Sequence, residues 1–145
     1  MTTVPLLLRR GSMFLAWGLL ALTGCGPSNV GKVTGKVTFD GQPLADALVT
    51  FSPTKEGGSS SLAKTDSSGV YSLTYSPGVS GAEIGENRVT ISTATQGKEK
   101  VPMEYNSKSK LTAEVKSGSN TFDWDLKGGG PIYSPAPSVP TKKKR

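Results

Sequence analysis

The sequence offers few side chains for covalent or metal chemistry. It contains one cysteine, Cys25, and no histidine. A lone cysteine cannot close an internal disulfide, and without an imidazole the sequence provides no general base to activate its thiol as a nucleophile. Ser/His/Asp and Cys/His catalytic sets and the usual zinc catalytic sites are therefore excluded. The role of Cys25 has to follow from its position in the chain.

Paired carboxylates remain as candidate catalytic groups. Asp123 and Asp125 are two residues apart, which on a β-strand places both on one face, as an acid/base pair would require. Phe122, Trp124 and Leu126 occupy the opposite face. This alternation is typical of an amphipathic strand with one solvated side, so we expect no catalytic residue here.

Two further groups of residues could bind a ligand. The turn at residues 66–69, with Asp40 elsewhere, could offer oxygen ligands to calcium, but calcium takes roughly six to eight oxygens and a bare turn explains the same residues. Tyr71, Tyr75 and Trp124 could form a platform for stacking sugars, but they fall on inward positions of predicted strands. The sequence therefore predicts no metal site and no cofactor.

The N-terminal segment has the order of a secretory signal. Arg9 and Arg10 precede an apolar block at residues 13–22, and the small residues Thr23 and Gly24 follow. The block is shorter than the about 20 residues that cross a bilayer core, so a permanent transmembrane helix is not expected. The alternatives are a buried N-terminal helix and export by the twin-arginine route. The first is disfavoured because the block is apolar on every side, and the second because no apolar residues directly follow the arginines.

Leu22-Thr23-Gly24-Cys25 resembles the lipobox of bacterial lipoproteins. In that family the cysteine thiol receives a diacylglyceryl group, the signal is cleaved before the cysteine, and the new amine is acylated. The resemblance implies a signal peptide over residues 1–24 and lipidation of Cys25, which places the mature chain outside the cytoplasm. Acyl chains that each contribute on the order of 0.8 kcal/mol per buried methylene would hold it on the cell membrane or the outer membrane.

The mature chain has room for one domain, followed by a tail of different composition. Loss of the two signal arginines lowers the formal net charge from +6 to +4, and the last four residues carry that whole excess: Lys142, Lys143, Lys144 and Arg145. Three glycines and four prolines predict that residues 128–145 are disordered. The basic end could contact an envelope protein or an anionic polymer, whereas secretion argues against nucleic acid.

Strands separated by turns account for the domain. Apolar and polar residues alternate in about seven segments, one of which is a short strand over Leu62–Thr65. The inward positions of the other segments are Val33, Gly35, Val37, Phe39; Ala47, Val49, Phe51; Tyr71, Leu73, Tyr75; Val89, Ile91, Thr93; Leu111, Ala113, Val115; and Phe122, Trp124, Leu126. Asp40-Gly41 predicts a turn whose flanking segments form a hairpin or a neighbouring pair, and residues 101–105 predict an irregular segment across the core. The pattern indicates an all-β sandwich of antiparallel sheets.

Two motifs then resemble the carboxypeptidase regulatory-like, or transthyretin-like, β-sandwich. Residues 33–51, VTGKVTFDGQPLADALVTF, look like the opening of that domain, and Thr65-Asp66-Ser67-Ser68-Gly69-Val70-Tyr71 is similar to its second signature. With the lipobox, the chain resembles small bacterial lipoproteins built around one such domain, here residues 31–127 after a short linker at 25–30. The resemblance implies an immunoglobulin-like fold and a non-catalytic accessory domain of the cell envelope.

We therefore expect a lipid-anchored cell-envelope protein that acts as a non-catalytic structural or interaction module. The alternative is a carbohydrate- or peptide-binding surface domain, with its recognition site in the loops at Lys55–Ser60 and Ser76–Gly85. Those loops contain no aromatic residue beyond Tyr75 at their border, which favours the first interpretation.

Overall fold

In the computed structural model, which describes residues 29–132, the alternating segments pair into two β-sheets that pack face to face. The predicted signal segment, Cys25 and the basic residues 142–145 lie outside the described residues. Among residues 29–132, no helix is both long enough and apolar enough to span a bilayer.

Twelve strands lie within residues 29–132, together with two single-turn 3-10 helices at Ala94–Gln96 and Met103–Tyr105. The strands are β1 (Val30–Phe39), β2 (Gln42–Pro43), β3 (Leu48–Pro53), β4 (Ser61–Lys64), β5 (Val70–Ser72), β6 (Thr74–Ser76), β7 (Val79–Ser80), β8 (Ala82–Glu83), β9 (Gly85–Ser92), β10 (Leu111–Val115), β11 (Ser119–Thr121) and β12 (Trp124–Leu126).

The first sheet is organised around β1, its longest strand. Along one side of β1 lie β8, β5 and β2, all antiparallel to it. Along the other side lie β11 and β12, which run parallel to β1, with Val33 opposite Asn120 and Val37 opposite Trp124. The central strand is therefore paired on both sides along most of its length.

The second sheet has the order β10-β9-β3-β4-β6-β7, and its pairs are antiparallel. The predicted all-β sandwich is confirmed. The seven predicted segments correspond to β1, β3, β4, β5 with β6, β9, β10 and β12. Four strands that were not predicted, β2, β7, β8 and β11, complete the sheets.

The prediction that the segments flanking Asp40-Gly41 pair with each other is wrong. Asp40 and Gly41 both have positive φ, 49° and 79°, and form a two-residue turn between β1 and the short β2. The next long strand, β3, belongs to the other sheet. Pairing with β1 ends after Leu44, whose amide donates to the Val37 carbonyl at 3.0 Å, and the chain turns away at Asp46, which has φ 59°. β1 and β3 thus face each other across the core, each with one buried face.

The core lies between the sheets and follows the predicted alternation. Its buried apolar residues are Val33, Val37, Ala47, Val49, Phe51, Ala63, Tyr71, Leu73, Ala82, Val89, Ile91, Val101, Ala113, Val115 and Leu126. Phe39, Phe122 and Trp124 are half-buried at its rim, and so is Tyr75. The predicted irregular segment is confirmed, since Val101 is fully buried just before the 3-10 turn. Burial of each large apolar side chain stabilises the fold by roughly 1.5–3 kcal/mol.

Residues at the start of the predicted tail contact the domain. The amide of Gly128 donates to a carboxylate oxygen of Asp40 at 2.9 Å, and the amide of Met103 donates to the carbonyl of Pro131 at 2.8 Å. Ile132 forms a bridge with Pro102. The packed chain therefore continues to Ile132.

Candidate functional site

The domain is hydrogen-bonded from its first described residue, Asn29. The amide of Ile84 donates to the carbonyl of Asn29 at 2.9 Å, and Val30 and Gly31 pair with the two residues of β8. Because Asn29 is hydrogen-bonded and Val30 already belongs to the central strand, only residues 26–28 separate Cys25 from the folded domain.

Several loops gather at the end of the sandwich where β1 begins, which we call the near end. The amide of Thr54 donates to the carbonyl of Glu86 at 3.0 Å, and the amide of Lys32 donates to the carbonyl of Gly118 at 2.8 Å. The near end therefore consists of residues 53–60, 76–86 and 116–118. The opposite end, the far end, carries the turns at 40–41 and 66–69 and the segment 93–100, because β1 and β9 both run toward it.

A buried carboxylate, Glu83, joins the loops of the near end. Glu83 is 4% exposed, and one of its oxygens lies 2.8 Å from the Lys55 ammonium. The other oxygen accepts hydrogen bonds from the Ser59 amide and the Tyr75 hydroxyl, both at 3.1 Å. The Lys55 ammonium first, and then the Ser59 amide, hold the pKa of Glu83 below its usual range. The carboxylate is thus charged and bonded to both loops.

The two loops predicted as the alternative recognition site therefore meet. Lys55 and Ser59 come from one loop, Glu83 comes from the other, and Tyr75 lies at its border. Glu83 carries no sequence signal of burial, since a glutamate in a Gly/Ser-rich region has the pattern of a solvated residue. Ala82 and Glu83 are both buried, in a two-residue strand that is too short to show a period of two.

Asp123 and Asp125 lie on the outward face, as their alternation predicts. An oxygen of Asp123 accepts from the Lys36 amide at 2.8 Å, and an oxygen of Asp125 accepts from the Thr38 hydroxyl at 2.8 Å. Lys127, 2.7 Å from Asp125, is the main cause that holds the pKa of Asp125 below its usual value. Both carboxylates bind polar groups of β1, and the open depression beside them has a volume of about 250 Å³.

The Asp66 turn uses its carboxylate for its own backbone. One oxygen of Asp66 accepts from the amides of Ser68 at 2.8 Å and Val70 at 2.9 Å. Within residues 29–132 no three histidine, cysteine, aspartate or glutamate side chains lie close enough together to hold a metal ion. The neighbouring Thr65 is 3% exposed and donates its hydroxyl to the Leu44 carbonyl at 2.6 Å. This second motif thus fixes the segment that crosses between the sheets.

The aromatic residues considered as a sugar platform occupy different places. Tyr71 is 2% exposed in the core, and its burial raises the pKa of its hydroxyl well above the usual value. Trp124 is half-buried, and its ring stacks on Phe122 with centroids 6.4 Å apart. Tyr75 bonds to Glu83 at the near end. The three rings therefore do not form one exposed platform.

A second buried carboxylate, Glu99, lies at the far end and is 8% exposed. Burial acts to raise its pKa, but hydrogen bonds from Ser92, Thr93 and Val101 outweigh burial and hold the pKa below its usual value. The Glu99 carboxylate thus holds together the two ends of the turn that follows β9, by accepting from the amides of Thr93 and Val101. The surrounding polar sequence gave no sign that this glutamate is buried.

Comparison with known proteins gives one structural likeness. No family model matches this chain, and no curated protein matches its sequence. The crystal structure of a DUF3823 family protein from Parabacteroides merdae aligns with a TM-score of 0.39 and 16% sequence identity. The alignment covers 70% of this chain and 47% of that one, so this chain spans less than half the length of that protein.

Proposed function

We propose that this protein is lipid-anchored at Cys25 on the outer side of a bacterial membrane and that its β-sandwich is a non-catalytic structural or interaction module. The observation that carries the proposal is the position of β1. The central strand of a packed sheet begins five residues after the lipobox cysteine, at Val30. A domain that starts so soon after a lipidated residue is suited to being presented at a membrane surface.

The carboxylates that could have served in catalysis support this proposal. Asp123 and Asp125 bond to polar groups of β1, and Glu83 and Glu99 bond to loop amides and hydroxyls. Each has a structural role in joining neighbouring segments. In the part of the chain that the structure describes, these four residues lie at three different places: the near end, the far end and the outer face of residues 123–125 beside β1.

Membrane fractionation of the natively expressed protein, beside a Cys25→Ala variant, tests the proposal. The wild type is expected to stay with the membranes after a high-salt wash and to enter the detergent phase, because acyl chains rather than charge hold it. The variant should lose this detergent partition. A wild type that is washed off by salt, or one that partitions like the variant, would overturn the proposal.

A second candidate function is a carbohydrate- or peptide-binding surface domain, and the meeting of its two loops at Glu83 favours it. Glycan and peptide arrays probed with the mature domain distinguish this function from the first. Specific binding that Glu83→Gln abolishes, while Asp123→Asn retains it, would favour recognition through the near end. Binding unaffected by Glu83→Gln would exclude these loops as the site.

A further inference from the structure

The geometry points to a preferred orientation on the membrane: the near end of the sandwich stays close to the lipid headgroups, and the far end lies on average farther from them. This inference rests on the proposed anchor at Cys25 and deepens it, because it names the surface of the domain that contacts the lipid. The residues concerned are those at 53–60, 76–86 and 116–118, defined above.

The length of chain between the anchor and the fold sets the first limit. Cys25 is four residues before Asn29, and four fully extended residues span at most about 14 Å. Asn29 cannot move away from the domain to lengthen this tether without breaking its bond to Ile84 and the pairing of Val30 with Glu83. The beginning of β1 must therefore lie within about 14 Å of the lipidated residue.

The direction of β1 sets the second limit. Its ten residues span about 33 Å at the usual rise per residue, which is more than twice the reach of the tether. At any tilt of the domain the beginning of β1 stays within reach of the tether, whereas the Asp40-Gly41 turn at the other end of the strand can lie up to about 33 Å farther from the membrane. The far-end surface, including Lys98 and Lys100, is then the part of the domain presented to the periplasm or the medium.

Charge at the near end neither attracts nor repels a membrane strongly. Three lysines, Lys32, Lys55 and Lys116, are matched by three glutamates, Glu56, Glu83 and Glu86, and the next row of the second sheet adds one charge of each sign, Arg88 and Glu114. The tips between them are small and uncharged, as at residues 57–58 and 117–118. The charges of the near end therefore leave the orientation to tether length, and high salt screens any attraction of the basic residues 142–145 to anionic lipid.

The orientation also bears on the alternative recognition site. The loops that meet at Glu83 lie on the side turned toward the headgroups, where a large soluble partner has little access. A protein partner would therefore contact the far end or the outer faces of the sheets.

A pair of single-cysteine labels tests this inference on the mature, lipidated protein. Cys25 is the only natural cysteine and carries the acyl chains, so an introduced cysteine is the single free thiol. Ser117→Cys places it at the near end and Ser67→Cys at the far end, and both positions are exposed. Each variant is labelled with bimane and bound to phosphatidylethanolamine vesicles that contain phosphatidylglycerol and a lipid with a nitroxide on its headgroup.

We expect quenching by the headgroup nitroxide to be several-fold stronger at position 117 than at position 67 at high salt, where the basic residues 142–145 are screened from phosphatidylglycerol. A matched control inserts a Gly/Ser linker of about 20 residues between Ser28 and Asn29, which reaches about 25 Å on average. This control should remain on the vesicles and lose most of the difference between the two labels.

Equal quenching at the two positions, or stronger quenching at position 67, on protein that is firmly bound to the vesicles would overturn the orientation and leave the anchor in place. A difference that persists with the long linker would show that surface contacts rather than the tether set the orientation, which also overturns the inference as stated. Protein that fails to bind vesicles at all would overturn the proposed anchor together with the orientation.

Discussion

The indole N–H of Trp124 donates to the hydroxyl of Tyr71 at 3.1 Å, and this hydrogen bond passes over strand β1. The same hydroxyl donates to the carbonyl of Phe122 at 2.7 Å. Tyr71 comes from the strand on one side of β1, and Trp124 comes from the strand on its other side. This hydrogen-bonded pair therefore links the two flanks of the first sheet over Gly35.

Replacement of Tyr71 by phenylalanine should destabilise the domain by about 1–3 kcal/mol, because it leaves a part-buried carbonyl and an indole N–H without their partner. Urea unfolding followed by the fluorescence of Trp124, the single tryptophan left once the signal is removed, measures the change. We expect a lower midpoint with an unchanged m-value. Ser67→Ala, on an exposed turn, is the control, and equal midpoints for the two variants would contradict the proposed role of the hydroxyl.

Gly35→Ala should destabilise the domain more strongly, by about 3 kcal/mol or more. A Cβ atom at Gly35 would lie 1.8 Å from the Phe122 carbonyl oxygen and 2.9 Å from the Tyr71 hydroxyl, so the backbone of β1 would have to move. Gly41→Asn serves as control, because nothing lies within 4 Å there and asparagine tolerates its positive φ. A Gly35→Ala protein with the thermal midpoint of the control would contradict the close packing described.

The stability of the domain should fall on acidification, partly through Glu99. The pKa of Glu99 is lower in the folded state than in the unfolded state, so its contribution is fully present above the unfolded value, near 4.3. That contribution is lost as the pH falls through the folded pKa. Urea unfolding at a series of pH values from neutral downward should show this decrease.

Glu99→Gln should unfold at lower urea at neutral pH and show a weaker decrease in stability below pH about 4.3. Hydrogen bonds from Ser92, Thr93 and Val101 stabilise the charged form of Glu99, whereas Glu104 is an exposed glutamate. Glu104→Gln is therefore the matched control. An acid dependence in Glu99→Gln identical to that of the wild type would contradict the assignment.

Glu83→Gln should loosen the near end without unfolding the domain. The change removes the charge that holds the Lys55 ammonium and weakens the acceptor for the Ser59 amide. Hydrogen exchange should become faster for residues 55–60 and remain slow for the core strands. Lys55→Ala, which leaves the bonds of Ser59 and Tyr75 in place, should show a smaller increase, and a larger increase in Lys55→Ala would contradict the ranking.

The sequence was sufficient to predict the sandwich because period-two alternation marks which residues face inward. Val33 and Val37, or Val49 and Phe51, are fully buried where the pattern places them. Alternation does not state which strands pair, however. The separation of β1 and β3 into different sheets depends on the turn at Asp46 and on the buried hydroxyl of Thr65, about which local pattern carries little information.

The site was harder to predict than the fold. Glycines and serines mark the two loops that meet at Glu83, but nothing in the local sequence marks Glu83 as the residue that joins them. Glu83 and Glu99 are buried only because distant or irregular segments supply their hydrogen bonds, and glutamates in polar surroundings are normally exposed. The parallel pairing of β1 with β11 and β12 likewise joins segments about 90 residues apart.

Intact mass spectrometry of the protein isolated from the membranes of its native host tests the proposed anchor most directly. We predict a chain that begins at Cys25 and carries the added mass of a diacylglyceryl group and an N-linked acyl chain, whereas Cys25→Ala carries neither. A wild-type protein that retains residues 1–24, or that begins at Cys25 with an unmodified thiol, would contradict the account.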